Sequence, residues 1–136
     1  MVSKQRTDRR ALTGQLAEQA VRDHLIERGW HLLAHNVRWR DGELDLIALD
    51  GCALVFGEVK ALIATGETAP FSPFESIDRR KQMRIRKLAR RWLVDDLRRM
   101  RGDKDLSFST VRFDAFAVTM RPDSSVRRIE HLSDAF

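Results

Sequence analysis

Apolar residues recur at helical spacing in the first part of the chain. Between Thr13 and about Arg28 they fall three and four positions apart, which is typical of a helix with one buried face. Thr13 can cap the start of this helix, and Gly29 can end it in the left-handed conformation. The predicted buried stripe consists of Leu16, Ala17, Ala20, Val21 and Leu25.

A second, longer helix is predicted in the middle of the chain. Ser76 or Asp78 can cap its start, and the apolar spacing continues to about Arg101, with Gly102 directly after it. Its predicted buried stripe consists of Ile85, Leu88, Ala89, Trp92, Leu93, Leu97 and Met100. The segment from Ala64 to Glu75, which contains Gly66, Pro70 and Pro73, is predicted to be a loop.

Three strand-like segments lie between the two helices. They run over Trp30–Arg40, Glu43–Leu49 and Cys52–Leu62, and Asp41-Gly42 and Asp50-Gly51 separate them. Asp-Gly between alternating segments is a strong signal for a tight β-hairpin. These segments are therefore predicted to form an antiparallel meander.

The remaining segments complete the predicted topology. A strand is expected around Val111–Val118, a turn at Pro122–Ser125 and a short last strand at Val126–Leu132. The order α-βββ-α-ββ predicts a mixed sheet flanked by helices. Residues 1–12 are expected to form a flexible basic tail, and residues 13–136 a single domain.

The hairpin registers place charged residues together. A two-residue loop at Asp50-Gly51 puts Glu43, Asp45, Glu58 and Lys60 on one sheet face, with Asp45 and Glu58 as diagonal neighbours ~7–8 Å apart. The opposite face is predicted to hold Leu44, Leu46, Val55 and Val59.

The other hairpin adds to the same face. A two-residue loop at Asp41-Gly42 places Arg38 directly opposite Asp45, and Asn36 shares that face. A slip of one residue in the strand pairing would turn each apolar side chain to the opposite sheet face. The apolar pattern therefore supports the predicted register.

Clustered carboxylates need a compensating cation, because they repel one another and are costly to desolvate. Oxygen ligands suit Mg²⁺, which is typically held by one or two carboxylates together with waters and a substrate phosphate. Asp45 and Glu58 could hold such an ion, and Lys60 could orient a water for phosphodiester hydrolysis. The alternative is a half-exposed strand whose charges form ordinary ion pairs, and spacing alone gives this alternative the greater weight.

Composition narrows the class of protein. The 136 residues are 43% hydrophobic and 33% charged, which is typical of a globular chain. The single cysteine, Cys52, excludes an intramolecular disulfide framework and multi-cysteine zinc sites. No apolar run approaches the ~20 residues of a membrane span, and the basic N-terminus does not resemble a secretory signal. A cytoplasmic protein that does not enter membranes is expected.

Positive charge is concentrated in the second helix. The formal net charge is +5, yet the segment from Arg79 to Arg101 holds eleven basic and two acidic residues. Such a focused field predicts a polyanionic partner, with nucleic acid favoured. A solvated helix face and a surface for an acidic protein are the alternatives, and a homodimer remains an open alternative to a monomer. The predicted phosphate contacts are Arg38, Arg79, Arg80, Lys81, Arg84, Arg86, Lys87, Arg90 and Arg91.

Two segments resemble a known family. Residues 42–48 (Gly-Glu-Leu-Asp-Leu-Ile-Ala) and 55–60 (Val-Phe-Gly-Glu-Val-Lys) resemble the YraN family of small bacterial predicted endonucleases, in the PD-(D/E)xK restriction-endonuclease-like superfamily. The resemblance runs through most of the chain. Further matching positions are Gly14, Glu18 and Ala20, Asn36-Val37-Arg38, Lys81-Gln82, Arg112-Phe113-Asp114 and Asp134-Ala135-Phe136.

The resemblance implies a fold and an activity. It implies a restriction-endonuclease-like α/β fold and an endonuclease that uses Mg²⁺ or Mn²⁺ to cleave DNA, with structured or branched DNA expected because phosphate contacts outweigh base readout. Asp45 and Glu58 would be the metal ligands and Lys60 the catalytic lysine. Glu18 and Gln82 would join the catalytic site from the two helices.

Two positions depart from the family pattern. Ala61 stands directly after Lys60, where the family usually has an arginine. Gly57 stands before Glu58, where a bulky apolar residue is usual. The alternative function is therefore a non-catalytic nucleic-acid-binding protein that retains the nuclease fold.

Overall fold

The computed structural model describes residues 2–64, 74, 77–95 and 107–136, with side chains from Arg9 onward. The order α-βββ-α-ββ is as predicted. The elements are α1 (Val2–Glu27), β1 (His31–Trp39), β2 (Gly42–Asp50), β3 (Ala53–Ile63), α2 (Arg79–Asp95), β4 (Thr110–Met120) and β5 (Val126–Leu132). Most of the loop predicted at 64–75 and the last turns of the second predicted helix, 96–101, lie outside the described residues. Neither described helix is long and apolar enough to cross a membrane.

The five described strands form one mixed sheet in the order β1-β2-β3-β4-β5. The β1–β2, β2–β3 and β4–β5 pairs are antiparallel, while β3 and β4 are parallel from Ala53 opposite Thr110 to Ile63 opposite Met120. Parallel neighbours need a crossover connection, and α2 lies in it. The arrangement agrees with the restriction-endonuclease-like fold predicted from the sequence.

Helix α1 is longer than predicted. It begins at Val2, so Thr13 does not cap it, and residues 2–12 continue the helix in place of the predicted tail. Thr13 instead donates its hydroxyl to the Arg9 carbonyl at 2.7 Å, as threonine does inside a helix. Gly29, with φ at 85°, ends the helix as predicted, because Trp30 N–H then reaches the Leu25 carbonyl at 3.0 Å.

The two helices cover opposite faces of the sheet. Helix α1 packs Ala17, Val21 and Leu25 against a buried cluster with Leu46, Ala48, Phe116, Val118 and Met120, whereas Leu16 is partly exposed. Helix α2 packs Ile85, Leu88, Ala89 and Trp92 against Leu44, Ile47, Leu49, Leu54 and Phe56. The Asp78 carboxylate caps α2 by accepting the Lys81 N–H at 2.8 Å, as one of the two predicted caps.

Both predicted hairpin registers were wrong by two residues. The turns are Gly51-Cys52 and Arg40-Asp41, with Asp50 opposite Ala53 and Trp39 opposite Gly42. At the first turn Gly51 adopts a left-handed φ of 57°, so Gly51 and not Asp50 takes the first turn position. A shift of two residues does not by itself move a side chain to the other face, because side chains alternate with a period of two. Leu44 is an exception, since it packs against α2 whereas Leu46 packs against α1.

The shifted register changes one predicted pair. Arg38 lies opposite Glu43, and its Nε is 3.2 Å from the Glu43 carboxylate. The predicted pairing of Arg38 with Asp45 was therefore wrong.

Candidate metal and phosphodiester site

Strands β2 and β3 separate at one end of their pairing. Their backbone register runs from Asp50 and Ala53 to Leu46 and Gly57. Beyond this point the Val59 N–H donates to the Asp45 carboxylate at 2.8 Å. The apolar alternation also breaks here, because Leu44 packs on the α2 side and Leu46 on the α1 side, although both were predicted on one face. The gap brings the Asp45 side chain between the strands.

Asp45 and Glu58 form a buried carboxylate pair. Their exposed fractions are 6% and 7%, and their side chains share a hydrogen bond. Burial and then the charge of Glu58 raise the pKa of Asp45 to about 8, although the Val59 N–H opposes the rise. Two carboxylates this close together disfavour a second negative charge. The pair therefore favours a positive charge beside it.

Glu18 approaches this pair from α1. Burial, and then the charge of Glu43, raise the pKa of Glu18, and Glu58 adds to the effect. The charge of Arg22 and a hydrogen bond from Asn36 act in the opposite direction. Asn36 has a left-handed φ of 50°, a conformation that asparagine tolerates better than most residues. The sequence placed Asn36 on the face of Asp45, and in the structure it holds Glu18 beside the pair.

Two lysines face the carboxylates from different elements. Lys81 Nζ, at the start of α2, lies 2.6 Å from Glu58 Oε1. Although burial opposes it, hydrogen bonds to Glu58 and to Lys60 raise the pKa of Lys81. Burial and the neighbouring Lys81 lower the pKa of Lys60, which favours its neutral amine. Lys81 was predicted from the sequence as a phosphate contact, and its ion pair with Glu58 was not predicted.

Gln82 lies beside Lys81 but is engaged elsewhere. Its Nε2 donates to the Ile77 carbonyl at 3.0 Å, so its amide secures the start of α2. The structure therefore brings together Asp45, Glu58, Lys60 and Glu18, and gives Gln82 a contact outside this group.

The cluster fits a divalent ion held by few protein ligands. Among the described residues, no group of three or more histidine, cysteine, aspartate or glutamate side chains is arranged to hold a metal by itself. Asp45 and Glu58 together can supply the one or two carboxylates that Mg²⁺ usually takes, with waters and a substrate phosphate as further ligands. A dication would favour the ionised form of Asp45, and it would compete with Lys81 for Glu58.

Sequence comparison places the chain among known proteins. A model of the "Uncharacterised protein family UPF0102" matches residues 17–118, which include all four members of the cluster. The chain belongs to family UPF0102.

Individual UPF0102 relatives match over nearly their whole length. A UPF0102 protein of Pelotomaculum thermopropionicum is 39% identical over 129 residues, which cover 95% of this chain and 98% of the relative. One from Frankia alni is 40% identical over 125 residues, which cover 90% of this chain and 92% of the relative. One from Rhodococcus jostii is 40% identical over 123 residues, which cover 90% of this chain and 94% of the relative.

The basic residues of this UPF0102 protein fall into two groups. Lys87 and Arg91 approach Asp41 at 3.8 and 3.2 Å, and the Arg86 guanidinium stacks 4.7 Å above the Phe113 ring. Lys81 and Arg38 are paired as described above. Within the described part of the chain, no ion pair involves Arg79, Arg80, Arg84 or Arg90, and all four are exposed.

The Arg-Phe-Asp segment of this UPF0102 protein forms a separate polar network. Asp114 is fully buried and accepts from Arg112 through two nitrogens at 2.8 and 2.9 Å. It also accepts from His131 Nε2 at 2.7 Å and from the Asp134 N–H at 3.0 Å. Arg112 Nη2 also donates to Asp50 Oδ2 at 2.9 Å. Burial opposes ionisation, but these donors hold the pKa of Asp114 below its usual value. The network ties β4 to β2 and to the last residues of the chain.

Packing explains the unusual Gly57. A Cβ at this position would lie 2.8 Å from Leu46 Cδ1 and 3.0 Å from Phe116 Cε2. Those two side chains already fill the space that a bulky residue before Glu58 would need.

Proposed function

We propose that this protein is a Mg²⁺- or Mn²⁺-dependent nuclease that hydrolyses phosphodiester bonds in DNA and acts in the cytoplasm. The observation that carries the proposal is the buried Asp45–Glu58 pair, in which burial and then the charge of Glu58 raise the pKa of Asp45 to about 8. A protein that keeps two carboxylates this close loses stability unless a cation compensates them. The likeness of residues 42–48 and 55–60 to the YraN family supports the same proposal.

The position of each side chain in the cluster suggests its role in the reaction. Asp45 and Glu58 would hold the ion, which when bound neutralises phosphate charge and acidifies a coordinated water. Lys60, with its lowered pKa, is suited to accept a proton from the attacking water or to orient it. Glu18 would position a second water at the rim, where Asn36 holds it.

The basic surface of α2 would bind the DNA backbone. Phosphate contacts give affinity without sequence information, so structure in the DNA would decide the substrate. The unpaired arginines, Arg79, Arg80, Arg84 and Arg90, are better placed for this than Lys87 and Arg91, whose charges Asp41 already compensates.

A cleavage screen tests the catalytic proposal. Single-stranded, duplex, flap and four-way-junction DNA are incubated with Mg²⁺ or Mn²⁺ and wild-type protein, Glu58→Gln or Lys60→Ala. We expect both variants to lose cleavage by orders of magnitude. DNA affinity without metal should stay level or rise in Glu58→Gln, because a charge that repels phosphate is lost. It should stay level or fall slightly in Lys60→Ala. Equal cleavage by wild type and Glu58→Gln would refute the proposal.

A matched pair of double variants tests the basic surface. Arg80→Gln with Arg90→Gln removes two unpaired charges, and Lys87→Gln with Arg91→Gln removes two charges that face Asp41. Each lost phosphate contact reduces the salt slope on duplex DNA by about 0.9, so the first pair should reduce it by about 2 and the second by much less. Equal slopes in wild type and both variants would favour an acidic protein as the partner.

A non-catalytic nucleic-acid-binding protein is the second candidate. Lys81 already neutralises Glu58 at 2.6 Å, and Ala61 stands where the family usually has an arginine. Salt-sensitive DNA binding without cleavage, together with no binding of Mg²⁺ or Mn²⁺ in calorimetry, would establish this second function.

A further inference from the structure

A cavity lies along α1 beside the carboxylate cluster. Its volume is about 360 Å³, and its walls include Leu12, Gln15, Leu16, Glu18, Arg22 and Asn36. We call it the α1 groove. Glu18 and Asn36 belong both to this groove and to the candidate metal site, so a ligand in the groove would lie next to a phosphate bound at the metal.

Arg22 supplies an unused donor in this groove. Its Nη2 donates to Gln19 Oε1 at 2.8 Å, and Gln19 Nε2 in turn donates to Asp23 Oδ1 at 2.9 Å, which fixes the guanidinium. Its Nη1 is buried and has no hydrogen-bond partner, and it is the only such side-chain atom in the described part of the chain. Buried charged donors are costly to leave unpaired, and an arginine with a free donor suits an anionic oxygen such as that of a phosphate.

The rest of the groove suits a nucleobase. Leu12 and Leu16 are apolar yet 52% and 37% exposed, and they stand four residues apart on one helix face. Gln15, which is exposed between them, carries both a donor and an acceptor for the edge of a base. A volume of about 360 Å³ is near the lower end of ligand pockets, which span ~300–1,000 Å³, so it suits one nucleotide better than a stacked base pair.

We propose that the α1 groove takes one unpaired nucleotide next to the phosphodiester at the metal site. Arg22 contacts the phosphate of that nucleotide, and Leu12 and Leu16 cover its base. This inference rests on the proposed nuclease function and specifies its substrate class. DNA with an unpaired nucleotide is preferred over continuous duplex, because removing a base from the stack costs energy that an already unpaired base does not require.

Binding measured without metal tests the inference independently of cleavage. A flap DNA and a fully paired duplex of the same sequence each carry 2-aminopurine at the position that is unpaired in the flap. Arg22→Gln is compared with Arg28→Gln, which removes the same charge from an exposed residue directly after α1, near His24 and outside the groove. We expect Arg22→Gln to weaken flap binding by about tenfold and duplex binding by no more than Arg28→Gln does. When the wild-type protein binds, contact of the base with Leu12 and Leu16 should change the 2-aminopurine fluorescence of the flap DNA and leave that of the duplex unchanged.

Two further variants separate a local loss from misfolding. Arg22→Lys keeps the charge and should recover most of the flap affinity, and Leu16→Ser should reduce the fluorescence change while leaving α1 intact by circular dichroism. If Arg22→Gln and Arg28→Gln weaken both DNAs equally, the inference is wrong and the nuclease proposal stands. If Arg22→Gln weakens flap binding but the wild type never cleaves the flap, the α1 groove binds the unpaired nucleotide and the catalytic proposal fails. If the wild type binds neither DNA, both fail.

Discussion

Replacing Asp45 with asparagine removes the carboxylate whose pKa is raised most clearly by the fold. Burial and Glu58 raise that pKa from 3.8 to about 8. Between these values the folded protein retains a proton that the unfolded chain has released. The stabilising contribution is therefore complete below about pH 4 and is lost as the pH rises to about 8. The loss amounts to about 1.4 kcal/mol per pH unit, or up to ~6 kcal/mol over the whole interval.

Asp45→Asn should abolish this dependence. An amide stays neutral, can still accept the Val59 N–H and can donate to Glu58, so the variant retains the contacts of the protonated acid. We expect Asp45→Asn to be more stable than the wild type at pH 8, and the difference to grow from about pH 5 upward by roughly 1.4 kcal/mol per unit.

Urea unfolding followed by circular dichroism, in EDTA at several pH values between about 5 and 8, measures this difference. Asp23→Asn, which changes an exposed aspartate on α1, is the matched control and should follow the wild type. Millimolar Mg²⁺ should stabilise the wild type at pH 8 and have little effect on Asp45→Asn, because a ligand stabilises the state that binds it. A stability difference that does not vary with pH, or a variant less stable than wild type at pH 8, would show that the carboxylate pair is not under the strain described.

Three further substitutions test separate parts of the structure. Lys81→Met removes the ammonium that lies 2.6 Å from Glu58, so the affinity for Mn²⁺ in calorimetry should rise several-fold; unchanged affinity would mean that Lys81 does not compete with the ion. Asp114→Asn removes the buried negative charge beside the Arg112 guanidinium and one of the two acceptor oxygens of the network, and urea unfolding should show a loss of about 3 kcal/mol with no change in metal affinity. Gly57→Ala forces a Cβ to within 2.8 Å of Leu46 and should cost about 1–3 kcal/mol in the same assay, and a neutral result would show that Leu46 can move aside.

The strands and the faces of most of their side chains could be predicted from the sequence, because hydrophobic alternation and Asp-Gly turns are local signals. Leu44 was assigned to the wrong face, because the alternation breaks between Leu44 and Leu46. The strand β5 was predicted with its observed bounds, Val126–Leu132. The hairpin registers could not be predicted, since the point at which a strand ends and its turn begins depends on contacts elsewhere. Asp50 stays in the strand, where its carboxylate binds Arg112, a residue far along the chain.

The carboxylates of the site could be predicted, but their countercharge could not. Asp45 and Glu58 lie on the two strands of one hairpin, so the alternation of side chains along the strands predicts that they lie close together. Lys81 lies on α2, and its distance from Glu58 depends on how α2 packs against the sheet. No local sequence pattern predicts that packing. The start of α1 was also missed, because the basic residues before Thr13 carry no apolar periodicity even though the helix includes them.

The parallel pairing of β3 with β4 has a consequence for the order of folding. The hairpin of β2 and β3 closes a short loop, whereas β4 can join β3 only after the chain has passed through α2. Asp45 and Glu58 would then meet early, before Lys81 can reach them. On this ordering Asp45→Asn should act mainly by accelerating refolding in stopped-flow measurements, and a change confined to the unfolding rate would show that the hairpin closes only after α2 has docked.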